Sequence, residues 1–281
     1  MWKEHMRNKI NRHLSRGGIT PDHAYYLRQI RLKKLAVWAT QFILLVTLIL
    51  LWELGANMRL IDPFITSQPS AIYHTFWRMA KDGSIFLHTG ITVLETTLSF
   101  IIGTIAGSLI AIFLWWSDFF SRVLDPYIVI LNSTPKIALG PLFIVFLGDG
   151  IKSIITMALT ISIIVTIVMV YTGFKEVDPN KIKLIRTFGA NKLQILEKVV
   201  LPASVPTIIA ALKVNVGMSF VGVIVGEFLV ARAGLGYLIV YGQQVFQLHL
   251  AMTSVVVLII TAAILYQMVA CLENRFLGWK E

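Results

Sequence analysis

Apolar residues dominate the chain in six long blocks, at 35–54, 89–114, 124–147, 153–174, 207–229 and 250–272. Each is about twenty residues or more, the length an α-helix needs to cross a hydrocarbon core of about 30 Å. The pattern therefore predicts an all-α membrane protein with six transmembrane helices. Between the fourth and fifth blocks the pattern inverts. DPNKIKLIRTFGANKLQILEKVVLP, residues 178–202, is polar and basic, with apolar positions at helical spacing. Asp178 followed by Pro179 reads as a helix start, an N-cap oxygen before a residue with φ preset. Gly189 reads as the stop, because glycine enters the left-handed C′ conformation without a Cβ penalty. A second short helix follows, with Leu193, Leu196 and Val200 on one face, and Pro202 is expected to close it. Two such helices are too short to span a bilayer; they suit a surface that docks on a partner.

The segment ends supply the orientation. Of the Lys and Arg residues outside the six blocks, 18 fall on the side of the N-terminus, Arg122, the 175–201 loop and the C-terminal tail, and 5 on the other. The positive-inside rule then puts both termini and the 175–201 loop in the cytoplasm. The segment 1–34 is basic; Thr20, Pro21 and Asp22 predict a helix start there, for a helix lying at the inner surface near anionic headgroups or serving as a plain positive-inside anchor. The 273–281 segment forms a short tail. The first apolar block is too long for a signal-peptide core and is expected to be an uncleaved span. In the outer loop, 70–79 predicts a short amphipathic helix, and GLGYLI within 231–247 a second one folding back over the outer mouth.

Composition narrows the function classes. Hydrophobic residues make up 56% and charged residues 14% of 281, well below the quarter charged of a typical soluble domain. The +10 formal charge sits at segment ends and forms no groove with interleaved aromatics, so nucleic acid is not an expected partner. Cys271 is the one cysteine, which leaves no intramolecular disulfide. The histidines show no metal-ligand spacing, so neither metal nor other cofactor is expected. Lys152-Ser153 lacks the glycine of a phosphate loop, and no catalytic constellation is visible.

Within the apolar blocks, polar residues mark candidate positions. Asn132, Thr134, Pro135 and Lys136 interrupt the third block. A broken helix at membrane depth belongs where it faces protein or lines a water-filled path, so these residues line a translocation route or a plain kink. Glu95, Lys136, Lys213 and Glu227 place charges in or beside apolar runs. Glu95 is deep enough to need a partner, either a pairing residue or a passing substrate, whereas Glu227 is expected near the outer surface. Gly103/Gly107 and Gly222/Gly226 have the Gly-x-x-x-Gly spacing of close helix crossings, here expected within one subunit.

Gly189, Val199, Leu201 and Pro202 resemble the second half of the "EAA" cytoplasmic loop of binding-protein-dependent ABC permeases. The three positions that hold Glu-Ala-Ala in that family are Lys183, Leu184 and Ile185 here. PKIALGPLFIVFLG (135–148) and GVIVGEFLVARAGLGYLI (222–239) resemble the nitrate/sulfonate/taurine-type branch. The resemblance spans about residues 35–272 and implies a six-helix permease domain in a bacterial cell membrane. It implies a loop at 175–201 that couples to a separate ATPase through Lys183, Leu184, Ile185, Phe188, Gly189, Leu193, Leu196, Leu201 and Pro202. It also implies a second permease subunit, expected as a homodimer, and an extracytoplasmic substrate-binding protein. Substrates would be small anions such as sulfonates, taurine or nitrate, or a thiamine-precursor pyrimidine or riboflavin. The chain itself would not hydrolyse ATP. An ion-gradient-driven secondary transporter is the alternative, although the paired carboxylates and repeated halves it calls for are not evident; a membrane-embedded enzyme lacks its clustered side chains.

Overall fold

The structure, a computed structural model, describes residues 21–277. The described residues form helices without strands. The chain divides between Pro69 and Ser70 into two units. The first contains α1 (Pro21–Asn57) and the single turn α2 (Pro63–Thr66), capped by Asp62, whose Oδ1 accepts from Phe64 N at 2.9 Å. The separate surface helix expected before the first span is not seen. Residues 21–57 are one helix of 37 residues, since nothing between Arg31 and Leu35 breaks it. Residues 1–20 and 278–281, which hold most of the basic N-terminal segment and the end of the tail, lie outside the described residues.

The second unit begins within α3 (Pro69–Lys81) and continues through α4 (Ser84–Trp116), α5 (Asp118–Ser133), a 3-10 turn (Lys136–Leu139), α6 (Gly140–Leu147) and α7 (Ile151–Lys175). The loop helices α8 (Pro179–Thr187) and α9 (Lys192–Ile195) follow, then a π-turn (Leu196–Val200), α10 (Leu201–Val230), α11 (Leu235–Gln244) and α12 (Leu248–Leu277). Among the described residues five stretches are long and apolar enough to cross a membrane, and the α5–α6 pair, bent by 88°, brings the number to six when taken as one broken span. The bend follows from Pro135. Its ring drives Thr134 out of the α region, to ψ 136°, and it offers no N–H to continue the ladder.

The core is a three-helix stack in which α7 packs between α4 and α10. Both Gly-x-x-x-Gly pairs serve this stack within the subunit. Gly103 and Gly107 of α4 face Ser162 and Thr166 of α7, and Gly222 and Gly226 of α10 face Ala158 and Ile154. A Cβ on Gly222 would stand 2.5 Å from the Ala158 Cα, a clash that only helix displacement relieves. Gly222→Val is expected to destabilise the bundle by about 1–3 kcal/mol, the range for overpacking a filled core, whereas Gly217→Ala, with open space around its Cβ position, should be neutral. Thermal unfolding in detergent distinguishes them; equal midpoints would mean the close crossing carries no energy.

Candidate functional site

The 178–202 segment forms as its residues dictate. Asp178 Oδ1 accepts from Asn180 N at 2.8 Å and Pro179 opens α8. At the far end Ala190 N donates to Ile185 O and Gly189 N to Arg186 O, a Schellman pair, with Gly189 at φ +82°. Asn191 then caps α9 through a reciprocal capping box with Gln194, two bonds of 2.9 Å.

Pro202 does not close the second helix. The chain stays helical from Lys192 to Val230, and Leu201 N bonds to Leu196 O, five residues back. That wider turn absorbs a proline, because a residue without N–H sits where one ladder bond is skipped. Pro202 is thus an early residue of α10.

Burial divides the loop's apolar residues into two sets, and the expected single face does not hold. Ile195, Leu196 and Val200 are buried with Val170 and Phe174 of α7, Ala111 of α4 and Ala211 of α10. Ile185 and Leu201 flank this cluster. Leu184, Phe188 and Leu193 instead point to solvent, at 56%, 79% and 58% exposure. Leu196 therefore anchors the loop from inside and is withdrawn from the docking face. Lys183 and Pro202 are exposed. A residue that sequence reasoning missed, Lys192, ties the loop to α4: its Nζ donates to Trp116 O at 2.6 Å and lies 5.8 Å from the Trp116 ring. A cation there meets the carbonyl end of the α4 dipole and an aromatic face together.

At the α5–α6 break, Lys136 Nζ donates to the Asn132 carbonyl at 2.9 Å, one of the carbonyls that Pro135 leaves without a helical partner. Thr134 Oγ1 donates to Ile130 O at 2.8 Å. Asn132 also lines a cavity of about 260 Å³ between α5 and α7, with Asp125, Ser133, Tyr171, Thr172 and Lys175. Tyr171 is held by a hydroxyl–hydroxyl bond to Ser121 and carries Lys175 Nζ 4.5 Å from its ring centre. This polar seam includes Lys175, the last residue of α7, just before the 178–202 loop.

Glu95 does not join the seam. It is buried in α4, and its carboxyl lies against that of Glu227 on α10. Glu227, expected near the surface, is 1% exposed. The reason is α11. Gly234 N donates to His88 Nδ1 at 3.0 Å, Leu235 N to Thr92 Oγ1 at 2.8 Å and Gly236 N to Glu227 Oε2 at 2.5 Å. Thr92 in turn donates to Glu227 Oε1 at 2.7 Å. Three N-terminal amides of a buried short helix, which have no intrahelical acceptor, are thus satisfied by side chains of α4 and α10. The only sequence signal was the Gly234-x-Gly236 pair, at which the chain passes so close to Glu227 that a Cβ would collide with it.

Residues 99–276 match the family described as binding-protein-dependent transport system inner membrane component. The chain belongs to that family. The permease is 29% identical over 82% of its length, and 93% of the relative's, to a probable ABC transporter permease protein of Haemophilus influenzae. It is 24% identical to the putative aliphatic sulfonates transport permease protein SsuC of Bacillus subtilis, over 94% of this chain and 96% of that one. Among solved structures its fold is similar to the MetNI methionine ABC transporter in inward-facing form, at TM-score 0.57 and 22% identity, covering 64% of this chain and 90% of that one. It is also similar to a bacterial ABC transporter involved in import of the polysaccharide alginate, at TM-score 0.61 and 13% identity, covering 88% and 99%. The protein is a multi-pass permease subunit of an ABC importer, which sets aside the gradient-driven alternative.

Proposed function

We propose that the permease moves a small organic anion through the polar seam, driven by a separate ATP-hydrolysing subunit that docks on Leu184, Phe188 and Leu193. The observation that carries this reading is the split loop: one apolar set is locked into the bundle core while the other is presented to solvent on an anchored, capped support. A linker would have no use for an exposed phenylalanine on such a support. ATP shifts the inward–outward equilibrium by the difference in its binding to the two arrangements. The loop transmits that difference to α10.

The loop faces the cytoplasm, as do both termini, in a bacterial cell membrane. A substrate-binding protein delivers solute at the opposite end, and a second permease subunit, in our reading another copy, completes the path. Domain limits follow: the six-helix permease domain at 35–272, the coupling loop at 175–201 within it. An anion is favoured by Lys175 in the seam, by Lys136 bonded to the Asn132 carbonyl beside it, and by the sulfonate named for the Bacillus relative. Relatives named for formylaminopyrimidine and riboflavin keep those solutes as competitors in an uptake assay.

Orientation is testable directly. In a Cys271→Ser background, Ser70→Cys should react with an impermeant thiol reagent in intact cells, and Asn191→Cys only after permeabilisation. Labelling in the reverse order would invert the topology and remove the ATPase from reach of the loop.

A further inference from the structure

The end of the bundle remote from the coupling loop contains a second cavity, of about 440 Å³, within the range of about 300–1,000 Å³ for small-molecule sites. Its polar wall is Thr75 and Arg78 of α3 together with Gln247 and His249 at the start of α12. Its apolar floor is Met79, Leu238 and Leu250, and Met79 and Leu238 belong to a buried cluster with Ile85, Leu235 and Val257. One side is cationic and rich in N–H donors, the other is hydrocarbon.

The helix that carries Arg78 is built for an interface. Ile72, Thr75 and Met79 of α3 are buried, while Tyr73 and Trp77 are exposed, the pattern of a helix lying at the headgroup level. Arg78 occupies its last turn, where helix carbonyls favour a cation. The nearest acid, Asp82, is already engaged: its Oδ1 accepts from Ser84 Oγ at 2.6 Å and from Ser84 N at 2.9 Å. Those two bonds, with a smaller contribution from Arg78, hold its carboxyl below the usual carboxylate range. Asp82 thus closes a turn onto the first residue of α4, and Ser84, which also lines the cavity, spends its hydroxyl on that turn. Among the described residues, the side chains of Arg78, Gln247 and His249 make no ion pair or hydrogen bond with another residue.

We propose that this cavity binds a tetrahedral oxyanion attached to an apolar body. The phosphate or sulfonate head sits on the Arg78 guanidinium, whose planar fork suits two oxygens at once, with N–H groups of His249 and Gln247 completing the cradle. The hydrocarbon part lies on Met79, Leu238 and Leu250. Two sources carry this chemistry: the phosphate of an anionic phospholipid in the adjoining leaflet, and a soluble alkanesulfonate. The orientation proposed above enters only in naming that leaflet as the outer one.

The test uses the full-length permease in phosphatidylcholine nanodiscs, without any ATPase, so that it stands apart from the transport reading. Butanesulfonate binding is followed by calorimetry, and retention of phosphatidylglycerol by native mass spectrometry after release from mixed discs. Wild type should bind one of the two, and Arg78→Gln and His249→Gln should each weaken that binding about tenfold or more, the scale of one lost charge-assisted pair, with unchanged size-exclusion profiles. Lys81→Gln, on the same helix but outside the cavity, should bind as wild type. Sulfonate binding without lipid enrichment assigns the site to solute, and lipid enrichment alone assigns it to a headgroup. Binding of neither probe, or an equal loss in Lys81→Gln, overturns the proposal.

Discussion

Gly189→Val is expected to abolish transport while leaving expression, insertion and thermal stability near wild type. Gly189 sits at φ +82° with no atom within 4 Å of a Cβ placed there, so the substitution collides with nothing and acts on the backbone alone. The left-handed conformation disfavours a β-carbon by about 1–2 kcal/mol, which shifts an equilibrium by a factor of about 5–30. A six-span bundle tolerates that. The Schellman turn does not, because unwinding it moves Phe188 and Leu193 relative to each other and breaks up the exposed set. Phe188→Ala should act on the same surface by a different route, losing about 2 kcal/mol or more of docking energy if it is the aromatic anchor of that interface. Gly189→Asn should keep most activity, since asparagine enters this conformation readily. Co-purification of the ATPase, together with uptake, measures all three. Normal association in both Gly189→Val and Phe188→Ala would reduce the segment to a linker.

The second large effect is expected at Glu227, on stability. Glu227→Leu leaves the Gly236 N–H without its acceptor, at about 1–3 kcal/mol for that buried group, and turns the Thr92 hydroxyl to the His88 carbonyl 3.2 Å away. Glu227→Gln keeps one oxygen and should fall between Leu and wild type. The loss should be local first: amides of α11 exchange faster, and the segment 231–247 becomes protease-sensitive before the core does. Thermal midpoints in detergent and hydrogen exchange give the ranking. If Glu227→Leu melts with wild type and keeps α11 protected, the side-chain cap is not what holds that helix.

Much of this architecture was legible because its causes are local. Twenty apolar residues in a row make a spanning helix wherever they occur, Asp178-Pro179 starts α8 and Gly189 ends it, and Pro135 breaks the third span. The failures have a common physical origin. Pro202 was read as a stop because its missing N–H ends an ordinary ladder, and nothing in LEKVV announces the wider turn that accommodates it. Leu196 was read outward because helical spacing alone cannot say which of two apolar faces meets the bundle. Glu227 was placed near the outer surface from its position near the end of a span, and that position could not show its burial, which comes from α11 and from His88 and Thr92, more than 130 residues earlier. Lys192 likewise finds its acceptor 76 residues away. Such pairs belong to the tertiary fold.

The two sides of the loop differ in helical continuity. Toward α7 the chain leaves α8 through non-helical residues around Glu176 to Asp178, and between α8 and α9 it turns at a glycine. From Lys192 onward it is one unbroken helical rod to Val230, about 60 Å at 1.5 Å per residue. Torque applied at Leu193 therefore has a continuous helix as an axle on one side, and on the other two non-helical joints, the first of them held by the buried Val177. Glu227, near the far end of the axle, grips the Gly236 amide of α11. Work done on the loop would be delivered as a twist of α10 and would arrive at the far mouth through that grip, with α7 left as the bearing around which the axle turns.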